Sequence, residues 1–198
     1  MGHLAEKRPA PATYADLEAV PPHLVAEIVD GVLHTLPRPA PAHAHASSEL
    51  VFELSGPFGH GRGGPGGWRI LMEPELHLGA DVLVPDLAGW RLDRMPRLPR
   101  AAHFTQPPDW ICEVLSPSTS AYDRAEKLPA YAAAGVSWAW LLDPLLHSLE
   151  VFHIGPRERW VLEHVFRGEA AVHAAPFDAI ALDLAALWPD LEDDDTNP

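Results

Sequence analysis

The chain has 198 residues, 47% of them hydrophobic, and a formal net charge of −14. This length can bury a core, and this composition argues against disorder over most of the chain. No apolar run approaches the roughly 20 residues of a membrane helix, and we expect no secretory signal. The single cysteine, Cys112, excludes an intrachain disulfide, so we expect a cytoplasmic protein.

The negative charge bears on the choice of partner. It repels nucleic acid unless basic residues cluster locally or metal ions offset the acids. Part of the excess lies in residues 191–198, which we expect to form a solvated acidic tail. Residues 1–12 are predicted to be a flexible arm, and residues 13–190 a single domain.

The first part of the chain predicts two helices and a hairpin. Residues 13–16 resemble a capping box and predict a short helix ending near residue 20. Asp30-Gly31, between two apolar runs, is a strong hairpin signal. Apolar residues at helical spacing predict a second helix after the proline-rich segment 37–41, and residues 59–67 are predicted to be a glycine-rich loop.

The rest of the chain predicts a sheet with helices packed on it. A helix is predicted over residues 118–134, bent by Pro129, which lacks a backbone donor. A turn and a short helix are predicted over residues 177–187. The predicted strands cover residues 68–78, 82–90, 110–115, 137–142, 149–154 and 160–166. This pattern is typical of an α/β domain with a central mixed β-sheet flanked by helices.

Three acids lie in these apolar runs. Asp86 follows Pro85, Glu113 lies inside the run 110–115, and Glu27 shares a strand face with two valines. Burying an ionised carboxylate without a partner costs several kcal/mol. Pairing with an arginine, capping a helix or facing solvent is the ordinary alternative. Two such acids, with Lys127 on the following helix, suit a divalent ion such as Mg²⁺ and a water nucleophile.

One basic patch follows Asp86. Four arginines recur there at every third residue and predict contacts with a nucleic-acid backbone. The alternative is a solvated loop that balances nearby acids. The arginines are Arg91, Arg94, Arg97 and Arg100.

Four segments occur in an order that resembles the Uma family of restriction-endonuclease-like proteins. They are AEIVDG at residues 26–31, Pro85-Asp86, EVLSPS at residues 113–118, and Asp123-x3-Lys127-x3-Tyr131-x3-Gly135. The resemblance covers about residues 13–190. It implies a PD-(D/E)XK nuclease core with a central mixed sheet, flanking helices and an N-terminal hairpin.

The resemblance also implies roles for individual residues. Asp86 and Glu113 match the two metal-binding acids, and the backbone carbonyl of Val114 would be a further ligand. The usual lysine position is Leu115, a departure from the superfamily. The lysine that matches the family lies on the following helix, at Lys127. Glu27 completes the catalytic set.

The function that the resemblance implies is a Mg²⁺-dependent endonuclease in which water attacks a DNA phosphodiester in line, with Mn²⁺ as a substitute ion. We expect a homodimer, with the apolar strands after residue 137 as its surface. Two alternatives stay open. One is a non-catalytic scaffold that kept the fold and has no need of metal. The other is a hydrolase of small phosphate esters, which tolerates the charge of −14 better.

Overall fold

A computed structural model describes residues 10–191, so most of the predicted arm and tail lies outside the described residues. Helix α1 (Tyr14–Glu18) is capped by Thr13, whose hydroxyl accepts from the backbone N–H of Asp16. Strands β1 (Leu24–Val29) and β2 (Val32–Pro37) form the predicted hairpin. Asp30 and Gly31 adopt the positive φ that such a two-residue turn requires.

Helix α2 spans Pro41–Leu54, as predicted, and continues into a π-helical turn over Ser55–Gly59. Pro41 occupies the first turn, where its missing N–H has no partner to lose. The helix buries Ala46, Leu50 and Leu54, which recur every four residues and so share one face.

The strands predicted over 68–78 and 82–90 are not continuous, and that prediction was wrong. The chain instead forms β3 (Trp68–Met72), β4 (Leu76–Leu78), β5 (Asp81–Leu83) and β6 (Leu87–Arg91). The breaks fall at Pro74 and Pro85, because proline has no N–H to continue a strand ladder. As a result, β4 and β5 belong to one sheet, and β3 and β6 belong to another. Asp86 lies where the chain passes from the first sheet to the second.

The predicted helix over residues 118–134 forms in three connected parts. These are α3 (Ser120–Tyr122), a π-helical turn over Asp123–Lys127 and α4 (Leu128–Ala133). The remaining strands are β7 (Trp110–Val114), β8 (Trp138–Asp143), β9 (Ser148–Gly155), β10 (Arg159–Arg167), β11 (Ala171–Val172) and β12 (Leu182–Asp183). A 3₁₀ turn over Ala185–Leu187 ends the predicted C-terminal segment.

The strands form three sheets. The largest has the order β10-β9-β8-β7-β6-β3, a second has the order β2-β1-β5-β4, and β11 pairs with β12. Strand β7 pairs in parallel with β8 and antiparallel with β6. The large sheet is therefore mixed, as predicted. The assignment of residues 13–190 to one domain stays a prediction.

Two apolar clusters lie on opposite faces of the large sheet. Alternate residues of β7 point to opposite faces, so Trp110 and Cys112 join one cluster while Ile111 joins the other. The first cluster includes residues of α2, and the second includes Tyr131 of α4. Among the described residues, no helix is both long and apolar enough to cross a membrane.

Candidate active site

A cavity of about 540 Å³ lies between the β1–β2 hairpin and the C-terminal end of β7. Its walls hold all four residues predicted to be catalytic: Glu27, Asp86, Glu113 and Lys127. They come from β1, from the passage between β5 and β6, from β7, and from the π-helical turn. The fold thus brings together residues that are up to 100 positions apart.

Lys127 lies at the centre of the cluster. Its Nζ is 2.9 Å from Glu113 Oε2, 3.1 Å from Glu27 Oε1 and 3.9 Å from Asp123 Oδ1. Only 4% of its side chain is exposed. Burial opposes the charge, but the surrounding carboxylates outweigh it and raise the pKa of Lys127 well above its usual value. Lys127 is therefore charged and holds the acids together.

The π-helical turn reconciles Lys127 with Pro129. The backbone N–H of Leu128 donates to the carbonyl of Asp123, five residues back, so the turn is wider than an α-helical one. Pro129 then lies in the first turn of α4, where a proline is tolerated. The predicted bend at Pro129 is therefore a π-helical turn followed by a new helix, and Lys127 still points into the cluster.

Both carboxylate oxygens of Glu113 have partners. Oε1 accepts from the Tyr131 hydroxyl at 2.6 Å, and Oε2 accepts from Lys127. The residue is 2% exposed. Burial raises the pKa of Glu113 well above its usual value, the charge of Lys127 opposes this rise, and nearby acids add to it. Each of these oxygens has a second lone pair, so Glu113 can bind a metal while it keeps both hydrogen bonds.

Glu27 is fully buried, because β1 lies between β2 and β5 and is not an edge strand. Its Oε1 accepts from the backbone N–H of Val84 at 2.7 Å and from Lys127. Its Oε2 is buried and has no hydrogen-bond partner among the described residues. A buried oxygen without a donor is costly, and a bound cation would satisfy it.

Asp86 is the more accessible acid, with 16% of its side chain exposed. Its Oδ2 accepts from the backbone N–H of Val114 at 2.7 Å, which ties it to the end of β7. Its Oδ1 is 3.1 Å from His43 Nε2. Burial lowers the pKa of His43, but the hydrogen bond and charge of Asp86 outweigh that effect and leave it raised.

Asp123 is a fourth acid of the cluster that sequence reasoning did not assign to the site. It lies one helical turn before Lys127 and is 3% exposed. Burial raises the pKa of Asp123 to about 6, against the opposing charge of Lys127. The spacing of four residues between Asp123 and Lys127 was the available signal, since such pairs share a helix face.

Comparisons with known proteins identify the family of the chain. The family model Uma2, described as "Putative restriction endonuclease", matches residues 11–185. The chain belongs to the Uma2 family. The expected resemblance is thereby confirmed over nearly the whole range predicted for it. No curated protein matches the chain.

A solved structure supports the fold of this Uma2 chain. It is described as the crystal structure of "a putative nuclease belonging to DUF820" from Anabaena variabilis ATCC 29413. The two chains are 24% identical, with a TM-score of 0.72, over 90% of this chain and 98% of the other. The chain therefore has a restriction-endonuclease-like fold, as predicted.

The four arginines of the predicted basic patch do not line the cavity. Strand β6 begins at Leu87, beside Asp86, and its four steps to Arg91 span about 13 Å at the usual rise per residue. Arg91 lies over the Trp68 ring at 4.8 Å, and Arg94 pairs with Asp109 at 2.6 Å. The arginine in the cavity wall is Arg38, which sequence reasoning did not single out.

Proposed function

We propose that this Uma2 protein is a Mg²⁺-dependent endonuclease that hydrolyses DNA phosphodiester bonds, with Mn²⁺ as a substitute ion. One observation carries the proposal: a buried lysine joins three carboxylates, and a fourth, Asp86, lies in the wall of the same cavity. The family and the fold support a nuclease. Fold alone does not establish activity, so the argument depends on the site.

The residues present fit a hard divalent cation. Glu27, Asp86, Glu113 and Asp123 supply four carboxylates, and Lys127 supplies one balancing charge among them. The unpartnered Oε2 of Glu27 leaves an acceptor that a cation would satisfy. Mg²⁺ prefers oxygen ligands of this kind. We assign its binding to Asp86, Glu113 and the carbonyl of Val114.

The chemistry divides between the ion and the side chains. When bound, Mg²⁺ would polarise the phosphate and make water more acidic. Lys127 would orient water or stabilise negative charge on the phosphate oxygens. Glu27 would assist the metal or its water shell through Oε2 while its Oε1 keeps Lys127 in place, and His43 would orient Asp86. Because the acids around the cavity repel a phosphate, activity should require the cation.

Cleavage of DNA tests the proposal. Supercoiled plasmid and single-stranded DNA are incubated with Mg²⁺, Mn²⁺ or chelator, and wild type is compared with Asp86→Asn and Glu113→Gln. Glu126→Gln serves as control, because Glu126 is an exposed acid next to Lys127 in the π-helical turn. We expect metal-dependent nicking in wild type and control and its loss in the two site variants. Equal activity in all four proteins would contradict the assignment.

A second candidate is a hydrolase of small phosphate esters. The cavity volume of about 540 Å³ falls in the range of small-molecule sites. The predicted arginine patch lies away from the cavity, and the net charge of −14 disfavours a long polyanion. Competition decides between the two. Single nucleotides should not compete with DNA for a nuclease, whereas they should displace it from a small-ester hydrolase.

The homodimer and the cytoplasmic location remain predictions. Strand β10 is an edge strand, and its Val161, Leu162 and Val165 are 41%, 49% and 44% exposed. Apolar residues on an edge strand favour pairing with another strand. Light scattering should give twice the chain mass, and a value near 21.6 kDa would contradict the dimer.

A further inference from the structure

A second cluster of metal-ligating side chains lies beside the cavity. It consists of Glu75, His77 and His103, each half-buried. One ligand atom from each residue lies within 4.8 Å of those of the other two. Among the described residues, these three are the ones whose ligand atoms converge in this way. None of them belongs to the nuclease assignment above.

The backbone places these residues by ordinary strand geometry. Glu75 and His77 flank Leu76 at the start of β4, and residues two apart in an extended strand share a face. His103 arrives from a distant loop. The backbone N–H of Phe104 donates to the carbonyl of Glu75 at 2.9 Å, and the N–H of His77 donates to the carbonyl of Phe104 at 2.8 Å. Two backbone hydrogen bonds therefore hold the third ligand beside the first two.

The side chains are already close together. His77 Nε2 lies 2.7 Å from Glu75 Oε1, and the rings of His77 and His103 stack with centroids 3.9 Å apart. The hydroxyl of Tyr14 donates to Glu75 Oε1 at 3.0 Å. A donor that holds a ligating carboxylate is a recurrent feature of metal sites. To bind one ion, the two stacked rings would have to turn until their nitrogens point to a common position.

We propose that Glu75, His77 and His103 bind a divalent transition-metal ion, with Zn²⁺ as the best match. Two imidazoles and one carboxylate are a ligand set of zinc and iron sites that keep a coordination position open for water. Mg²⁺ favours oxygen ligands, so this site differs in kind from the one at Asp86. The proposal does not depend on the nuclease function. Glu75 also lines the cavity, so the ion would sit at its rim.

Metal titration of the chelator-treated, tag-free full chain tests the proposal. Zn²⁺ binding is measured by calorimetry, and Co²⁺ reports its ligand geometry through visible absorption. We expect one strong site per chain in wild type and in Asp86→Asn. His103→Ala and Glu75→Gln should weaken binding by more than roughly 100-fold, since they remove ligands. Tyr14→Phe should weaken it by about 10-fold, since it removes only a supporting hydrogen bond.

The controls distinguish the site from incidental binding. His60→Ala removes an exposed histidine outside the cluster and should bind like wild type. Circular dichroism checks that each variant is folded, and an unfolded His103→Ala would be replaced by His103→Gln. Zn²⁺ affinity unchanged in both Glu75→Gln and the His103 variant would overturn the proposal. Loss of the Co²⁺ absorption in Asp86→Asn but not in the His103 variant would also overturn it.

Discussion

The two faces of β7 are buried to the same extent and are used differently. On one face, Trp110 and Cys112 are 0% exposed and pack against apolar residues. On the other, Glu113 is 2% exposed and meets Lys127 and Tyr131. A single five-residue strand thus has an apolar core on one face and, on the other, a charged cluster beside the second apolar cluster. Position on the strand decides which residue serves which side.

The comparison shows two kinds of stability. The apolar face is stabilised by many independent contacts, so each residue contributes a share. The charged face is stable only as a set, because removing one member leaves others buried without a partner. Substitutions on the charged face should therefore have larger effects and depend on pH. Substitutions on the apolar face should not depend on pH.

Lys127→Met should have the largest effect. It removes the cation that contacts Glu27, Glu113 and Asp123 and keeps the length of the side chain. Breaking a buried ion pair on one side typically costs about 3–5 kcal/mol. We expect a loss of that order in the free energy of unfolding, measured with urea at neutral pH and without metal.

Arg124→Met is the matched control for this change. Arg124 lies in the same π-helical turn, is 41% exposed and pairs with Glu150 at 2.6 Å. An exposed pair contributes at most about 1 kcal/mol. Equal losses for the two methionine variants would show that the charged face is not a cooperative set.

Asp123→Asn should reveal the pH dependence of the charged face. The folded protein raises the pKa of Asp123 from 3.8 to about 6, so the folded state binds a proton more tightly than the unfolded state does. Its contribution to stability is therefore present at low pH and is lost as the pH rises through about 6. The full loss approaches about 3 kcal/mol, of which about 2 kcal/mol falls above about pH 4.5, and the asparagine variant avoids it.

The measurement is urea unfolding of both proteins in chelator from about pH 4.5 to 7.5. The free energy of unfolding of Asp123→Asn should increase relative to that of wild type as the pH rises. Glu126→Gln, at an exposed residue three positions away, should show the same pH dependence of the free energy of unfolding as wild type. A constant difference between Asp123→Asn and wild type across this range would rule out the burial of Asp123 as the cause.

Tyr131→Phe should have a smaller effect. It removes the hydroxyl that donates to Glu113 Oε1 at 2.6 Å and leaves that oxygen buried without a donor. A hydrogen bond to a charged group contributes about 1.5–3 kcal/mol. Tyr14→Phe is the control, because the hydroxyl of Tyr14 donates to Glu75 at an exposed position and its loss should cost less. Denaturation midpoints in the same buffer compare the two, and similar losses would contradict the role of Glu113.

The charged face was accessible to sequence reasoning where a residue contradicted its surroundings. Glu27, Asp86 and Glu113 are acids in apolar runs, and the structure brings all three together with Lys127. Asp123 gave no such contradiction, because an acid on a helix is ordinary. Arg38 also lies in an unremarkable proline-rich segment. Their places in the cavity depend on contacts across the fold.

The prediction of the topology succeeded where the signals were local and failed where the arrangement depends on distant parts of the chain. The hairpin and the helices follow local signals such as Asp30-Gly31 and the Thr13 cap. The breaks at Pro74 and Pro85 interrupt apolar patterns that otherwise continue. Which sheet each half then joins depends on partners far along the chain, such as β1 for β5 and β7 for β6. Local periodicity carries no information about that choice.

Phe177→Leu should give the smallest loss and complete the comparison on the apolar face. The Phe177 ring contacts four aromatic rings at centroid distances of 4.8 to 5.5 Å, those of Phe58, Trp68, Trp110 and Trp140. Leucine keeps most of the buried volume but loses these ring contacts, so we expect about 1–2 kcal/mol. Phe52→Leu, at a side chain that is 74% exposed, should change stability by less than about 0.5 kcal/mol. The pH dependence is decisive. The Phe177→Leu loss should be the same from about pH 4.5 to 7.5, because the contacts that it removes are with aromatic rings that carry no charge. A loss that followed the same pH course as the Asp123→Asn difference would mean that β7 transmits charge effects between its faces, and the separation of the two faces would then be wrong.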